Sequence, residues 1–355
     1  MNKKERRERV AFYPYNSEMD IICNFRDEMP EYDVQSVILY NNSTINKGNK
    51  DDNILFTENS VTALERSDSL VLCDNVKKFG AKGYLRQLKY AEEFHKKVYL
   101  GSYLYEWLGA DAFQNINVKI LNNGNSENNT SSNLLKVIDV PVIALLGEGE
   151  SCDKLGLMLS INKCLKETGF RVLTISGNSL AKLFKCEVLP AFMYSKEISI
   201  TEKILKLNYY IYSLAKKYEP DIILISCPGG FMPLNEYENN FFGESAYVIS
   251  HSLPIDYGII CTYFRWKYGK EYIKEVRKLC KIRFGIDVYD YYMSRQSYYT
   301  DTEFNRILYR FYNADFCEKK VTSELEDYYL FDYVNSGRKM TQNILDFFKQ
   351  NIEII

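Results

Sequence analysis

Val140-Pro141-Val142-Ile143-Ala144-Leu145-Leu146-Gly147-Glu148-Gly149-Glu150-Ser151-Cys152-Asp153-Lys154-Leu155 is the stretch on which the reading of this chain turns. An unbroken apolar run of strand length enters a loop of small and polar residues that ends on a lysine. The segment that follows, to Thr168, sets Leu155, Leu159, Ile161 and Leu165 among Lys and Glu at a helix-like spacing, so the order is strand, loop, helix. A phosphate suits such a loop. Glycines let backbone N–H groups approach closely, a helix N-terminus adds partial positive charge, and a lysine adds a full one.

The loop departs from the standard phosphate-binding pattern G-x-x-x-x-G-K-[ST], in which the glycine before the lysine avoids a clash and the hydroxyl after it holds magnesium. Here Asp153 precedes Lys154 and Leu155 follows it. Gly147 lies seven residues before Lys154, the spacing of the longer loop of dethiobiotin-synthetase-like NTPases. A carboxylate beside the site repels an anion unless it points away, and leucine ligates no metal. The alternative is an ordinary strand-to-helix turn with a surface lysine.

Working outward, the next informative turn is Ser226-Cys227-Pro228-Gly229-Gly230, which closes the apolar strand Pro220–Ser226. In one large class of P-loop proteins the corresponding strand ends in D-x-P-[PG]-G, whose Asp is associated with magnesium and whose glycine N–H senses the terminal phosphate. Ser226 stands in place of that Asp, and Asp221 opens the strand at its wrong end. The two turns, in this order, give a set of candidate phosphate-binding residues: Gly147, Glu148, Gly149, Glu150, Ser151, Cys152, Asp153, Lys154, Leu155, Ser226, Pro228, Gly229 and Gly230. No catalytic residue and no metal ligand is assigned.

The rest of this half alternates in the same way. A strand follows Gly169 and ends at Ser176, Ile198–Tyr218 reads as a long amphipathic helix, and Tyr257–Tyr263 and Gly285–Asp290 read as strands around a helix over Gly269–Ile282. Asn335–Phe348 is a terminal helix. His251 reads as structural, and Asn235, Asn239, Asn240 and Gly243 decorate the loop after the Pro-Gly-Gly turn.

The N-terminal half repeats the alternation with strands at Arg9–Tyr13, Ser36–Tyr40, Ser69–Asp74 and Val98–Gly101 and helices at Ser17–Arg26 and Gly83–Lys97. This predicts a Rossmann- or flavodoxin-like domain with a ligand position near Tyr13, Tyr40 and Asp74. No glycine fingerprint follows its first strand, which argues against a dinucleotide. The tract Asn122–Asn133, NNGNSENNTSSN, is too polar to order itself, and it sets the expected boundaries at 1–121, a linker over 122–135, and 136–355. The fold class is therefore α/β, two doubly wound, mostly parallel sheet domains, the second P-loop NTPase-like.

Length and charge agree with this. At 355 residues the chain exceeds the ~100–200 residues of one domain. A net charge of -2 gives no general grip on nucleic acid or an anionic membrane, so neither is expected as a partner. No apolar run spans a membrane and no signal-peptide core opens the chain, so a cytoplasmic location is expected. Nine cysteines without a C-x-x-C pair indicate neither zinc nor a disulfide framework. Cys152 and Cys227 stand apart because both follow strands that should be neighbours.

Together, RVAFYPYN near the N-terminus, PVIALLGEGESCDKLGLMLSI, PDIILISCPGGFMPLN and RFGIDVYDYYMS resemble a clostridial family of peptide-maturation-system proteins. Members are encoded beside small ribosomally made natural-product precursors and a radical-SAM maturase. The resemblance implies an accessory role in maturing a modified peptide, with the precursor and the maturation enzymes as partners. With the loop reading, two expectations follow. In one, the protein binds ATP, GTP or another phosphate ligand at a degenerate P-loop, without the usual magnesium positions, and acts as a nucleotide-dependent enzyme or accessory. In the other, it is a pseudo-NTPase scaffold that holds the precursor or the maturase.

Overall fold

Parallel strands are covered on both faces, so runs with no polar alternation are the ones that fold into such a sheet. The computed structural model describes residues 6–40, 53–74, 76–122, 134–265, 269–321 and 325–351. The expected linker tract lies mostly outside them. Packing divides the chain into Met1–Ser126 with Asn178–Ala191, and Glu127–Gly177 with Phe192–Ile355.

The first unit holds β1 (Glu8–Tyr13), β2 (Tyr32–Ile38), β3 (Leu55–Thr57), β4 (Ser69–Leu72), β5 (Lys97–Leu100) and β6 (Val118–Ile120), all parallel, in the order β3-β2-β1-β4-β5-β6. Helices α1 (Ser17–Asn24), α2 (Ser60–Glu65), α3 (Val76–Glu93) and α4 (Ser102–Leu108) connect them. Ala11, Tyr13, Leu70, Leu72, Val98 and Leu100 pack against Tyr84, Leu88 and Ala91 of α3. Strand β2 begins earlier than expected, at Tyr32, because buried Tyr32 and Val34 alternate with exposed Asp33. Winding reverses between β1 and β4, where such a sheet usually takes a ligand. In this unit the chain itself reaches that edge. Residues 178–191 form a short 3-10 turn (Ser179–Phe184) and β9 (Glu187–Val188). Ser179 Oγ donates to Asp74 Oδ2 at 3.3 Å, and Asn178 Nδ2 donates to Glu18 Oε1. The expected ligand position is thus covered at Asp74.

The second unit holds β7 (Val142–Gly147), β8 (Val172–Ser176), β10 (Ile222–Ser226), β11 (Tyr257–Thr262), β12 (Val288–Met293) and β15 (Tyr329–Leu330), all parallel, in the order β15-β12-β11-β7-β10-β8. Every residue of β7 and β10 is buried. Helix α5 (Lys154–Glu167) packs with the last helix, α10 (Tyr333–Asn351), on one face, while α6 (Ile200–Tyr218), α7 (Glu244–Ser252) and α8 (Lys270–Phe284) follow one another on the opposite face. An antiparallel hairpin, β13 (Gln296–Asp301) and β14 (Arg306–Phe311), and the short α9 (Ala314–Glu318) lie between β12 and β15 in the chain. A loop-bearing central strand between β10 and β11, with a helix leaving its loop, is the P-loop NTPase-like layout. The expected fold class is borne out in both units. Among the described residues, no helix is long and apolar enough to cross a membrane.

One device recurs at the amino edges of both sheets. The Arg9 guanidinium grips Asp68 at 2.7 and 3.2 Å, the Arg9 N–H also donates to the Asp68 carboxylate Oδ2, and the Asp68 N–H donates back to Arg9 O. Arg171 grips Asp221 in the same way, at 2.7 and 3.2 Å. Each Asp immediately precedes a central strand, so the forked pair sets the register where the strand begins. Hydrogen bonding from Arg9 is the main cause holding the Asp68 carboxyl down, to about 2, and burial works against it. A folded-state value below the unfolded one gives stability that is present above pH ~4 and lost as pH falls through the folded value. The Asp68→Asn protein is therefore expected to show a shallower loss of unfolding free energy between pH ~4 and ~2 than the wild type. Identical acid limbs in denaturant titrations would contradict this.

Candidate phosphate site

Strand β7 delivers Gly147 to the carboxyl edge of the sheet, and α5 begins seven residues later at Lys154. Between them the backbone turns through left-handed conformations at Ser151 (φ 60) and Asp153 (φ 57). The standard loop places glycine before the lysine. Aspartate is among the few other residues that visit this region readily, so the chain takes the turn without the glycine. The buried Asp153 carboxylate does not face the loop. Its Oδ1 accepts from Gln296 Nε2 at 2.8 Å and its Oδ2 from the Tyr292 hydroxyl at 3.4 Å. The repulsion that its position threatens is thus directed into β12 and β13.

Glu148 is buried as well. Its Oε2 accepts from Tyr263 N–H at 2.8 Å and its Oε1 from the Tyr272 hydroxyl. Its backbone N–H donates to Cys261 O and its carbonyl accepts from Asn240 Nδ2 at 3.0 Å. Glu150 O accepts from the Tyr263 hydroxyl. A Cβ at Gly147 would lie 2.7 Å from Lys154 Nζ, and one at Gly149 would overlap the Tyr263 hydroxyl.

The second loop follows β10, the neighbour of β7. Cys227 N–H donates to Leu145 O at 2.8 Å and Phe231 N–H to Gly147 O at 2.9 Å, which laces the two loops together. Gly229 is left-handed (φ 64), and a Cβ at Gly230 would overlap Glu148 O and the Asn240 amide. Pro228 abuts Gly177. Lys154 completes the junction by donating to Gly149 O at 2.8 Å and to Gly229 O. An ammonium group has three N–H donors, so one remains beyond these two carbonyls.

These residues do not fit magnesium. Leu155 is apolar and buried. The Ser226 hydroxyl lies 3.3 Å from that of Ser176 and accepts from Gly177 N–H at 3.4 Å. Asp221 is committed to Arg171 at the opposite edge. Of the three carboxylates in the loop, Glu148 and Asp153 are engaged as described, and Glu150 is exposed.

Sequence reading missed the shell that holds the loops. Tyr263, Tyr272, Tyr292 and Gln296 come from later elements, and their spacing carries no signature. The hairpin sets Tyr298 opposite Tyr309, and both rings stand against Tyr263, with centroids at 5.2 and 6.0 Å. The Asn-rich loop had a signal that was under-read. Asn235 accepts from the N–H groups of Tyr237 and Glu238 and donates to Thr300, while Asn240 Nδ2 donates to both Glu148 O and Met232 O. Asn240, Phe241, Phe242 and Gly243 have consecutive φ values of 49, 49, 55 and 75. Arg283 donates to Phe242 O and helps to hold this turn. His251 stacks on Tyr247 and bonds to its carbonyl on its own helix, a structural role as expected.

Cys152 and Cys227 do share the carboxyl edge, since they follow adjacent parallel strands. Both are buried, and burial pushes each thiol up to about 12 against the pull of Lys154. A thiol held so high is an inert core group. Iodoacetamide at pH 8 should leave both unmodified in the native protein and label them after denaturation; native labelling at the rate of a free thiol would contradict this. The left-handed turn makes a second prediction. Phe242 is 61% exposed, so its ring contributes little packing. A non-glycine residue there costs about 1–2 kcal/mol, against roughly 0.5–1 kcal/mol of extra chain entropy for glycine. Phe242→Gly should raise the unfolding free energy by about 0.5–1 kcal/mol. A loss of stability in denaturant melts would show instead that the ring is packed.

No family model matches the chain, and no curated protein matches it. Among solved structures, it is similar over nearly its whole length to a DUF1611 family protein from Anabaena variabilis, with a TM-score of 0.62, 13% identity, and coverage of 97% of this chain and 100% of that one. Weaker likenesses extend to cobyrinic acid a,c-diamide synthase from Mycobacterium smegmatis, crystallised with ADP and magnesium (TM-score 0.36, 11% identity, 59% of this chain and 96% of that one). Another is the septum site-determining protein MinD from Pyrococcus horikoshii with Mg-ADP (TM-score 0.30, 16% identity, 57% of this chain and 86% of that one). At such identity the first likeness speaks for the α/β fold alone.

Proposed function

We propose that the loop Gly147–Leu155, together with Ser226, Pro228, Gly229 and Gly230, binds the phosphates of a nucleotide, ATP or GTP, or of a related phosphate ligand. The observation that carries this is the position of the Lys154 ammonium. It stands at the first residue of a 14-residue helix and between carbonyls of two loops on one sheet edge. An arriving phosphate competes for that ammonium and gains the helix N-terminus and the close approach that the glycines leave open. Leu155 and the committed Ser226 leave metal-assisted hydrolysis without its usual ligands, so the proposal is binding without fast turnover. The protein then works in the cytoplasm as an accessory in maturing a ribosomally made peptide, with the precursor and its maturation enzymes as partners. That role is supported by the sequence resemblance alone.

A scaffold without nucleotide is the second reading, favoured by one observation: two of the lysine's donors are already satisfied by carbonyls. Thermal unfolding separates the two. A ligand at a hundredfold excess over its dissociation constant adds about 2.7 kcal/mol, a rise in melting temperature of roughly 5–10 °C for a unit of this size. ATP or GTP is expected to produce such a shift with or without magnesium, and Lys154→Ala to abolish it while remaining folded. Unmoved melting curves for the wild type with both nucleotides would leave the scaffold reading in place.

A further inference from the structure

Helix α8 sorts its charges. At 3.6 residues per turn, Lys270, Lys274 and Arg277 fall on one flank of the buried stripe made by Ile273, Val276 and Cys280, whereas Glu271, Glu275 and Lys278 fall further round on the solvent side. The cationic flank is exposed and also borders a pocket. It forms one wall of a cavity of about 310 Å³, whose other lining is Ile273, Tyr289, Tyr291 and Asp327. Three cations therefore meet one carboxylate. Among the described residues, none of the three makes an ion pair with a carboxylate, while Lys281 further along the helix pairs with Asp287 at 2.6 Å.

The opposite wall is aromatic. Tyr289 stacks on Tyr257 with ring centroids at 4.7 Å and stands against Phe347 at the same distance. The Tyr291 hydroxyl donates to Ile273 O at 3.4 Å. The two tyrosines are two residues apart on β12 and so present the same face of the strand. Lys270 to Arg277 spans about 10 Å along the helix axis. The cavity thus offers a row of positive charge over that length against an aromatic wall. With one carboxylate against three cations, the lining carries an excess of positive charge.

We propose that this cavity is a second anion site, distinct from the phosphate loop, and that it takes a small ligand carrying two or more phosphate or carboxylate groups. Arg277 supplies a forked donor pair and the two lysines supply point charges, a combination suited to either group. Its aromatic wall accommodates an organic body beside the charged groups. The helix also reaches the first site, because Tyr272 on its other flank donates to Glu148 of the loop.

The test uses the whole protein and two probes, inorganic tripolyphosphate and citrate, titrated separately by calorimetry at low salt. A Lys154→Ala background removes the lysine of the loop and leaves the cavity intact. Saturable binding of at least one probe is expected to persist in Lys154→Ala, to weaken about tenfold or more in Lys270→Gln/Lys274→Gln/Arg277→Gln, and to change less than about twofold in Lys278→Gln on the other flank. Preference for one probe identifies the anionic group. Three outcomes would overturn the proposal: no saturable binding to Lys154→Ala, equal binding by the triple variant, or an equal loss in Lys278→Gln. Binding that disappears with Lys154 alone would assign the anion to the loop, upholding that site and removing this one.

Discussion

A single ammonium group ties together the two loops that follow adjacent parallel strands. Lys154 donates to carbonyls of both, and Phe231 N–H and Gly147 O add a backbone bond across the same gap. This junction exists because β7 and β10 are neighbours, and a parallel sheet brings both carboxyl ends to one edge. Around it, the chain avoids anything that would crowd the edge. Glycines stand wherever a Cβ would strike the lysine, a tyrosine hydroxyl or the opposite loop, and Asp153, the acidic side chain next to the helix, is drawn off into Gln296 and Tyr292.

The sheet strands were largely legible because burial on both faces imposes a composition. Val142–Gly147, Ile222–Ser226 and Tyr257–Thr262 contain no charged residue, and each is buried throughout. Edge strands were not legible. Leu55–Thr57, Val118–Ile120 and Tyr329–Leu330 have two or three residues each, too few for a period to show. The hairpin Gln296–Asp301 with Arg306–Phe311 was missed because its polar and aromatic residues are laid over other parts of the unit and do not alternate as a buried strand would. The segment 178–191, whose Leu180, Leu183, Phe184 and Val188 are buried, illustrates another limit. Its place by sequence is in the second half, and its packing with the first depends on contacts such as Ser179 to Asp74, 105 residues apart.

For the site, sequence identified the two loops and their lysine but not what decides their chemistry. Asp153 reads as a repulsive neighbour, and its effect is set by Gln296, 143 residues away. Glu148 reads as one more polar loop residue, yet it is buried and anchored by Tyr263 and Tyr272. Such long-range hydrogen bonds leave no trace in spacing. Replacing the usual hydroxyl by Leu155 was visible, and its consequence holds: the side chain is buried in the helix packing, with no oxygen to offer. The position that usually holds the metal is therefore without a ligand atom, while the lysine of the loop is kept.

Amide hydrogen exchange with and without nucleotide tests this account most directly. It reads the backbone N–H groups that would face the phosphates, and it does so residue range by residue range. The account predicts that saturating ATP or GTP slows exchange in peptides covering Gly147–Leu155 and Ser226–Phe231, with little change in the first unit. Unaltered exchange in both loops, or protection confined to other parts of the chain, would contradict it.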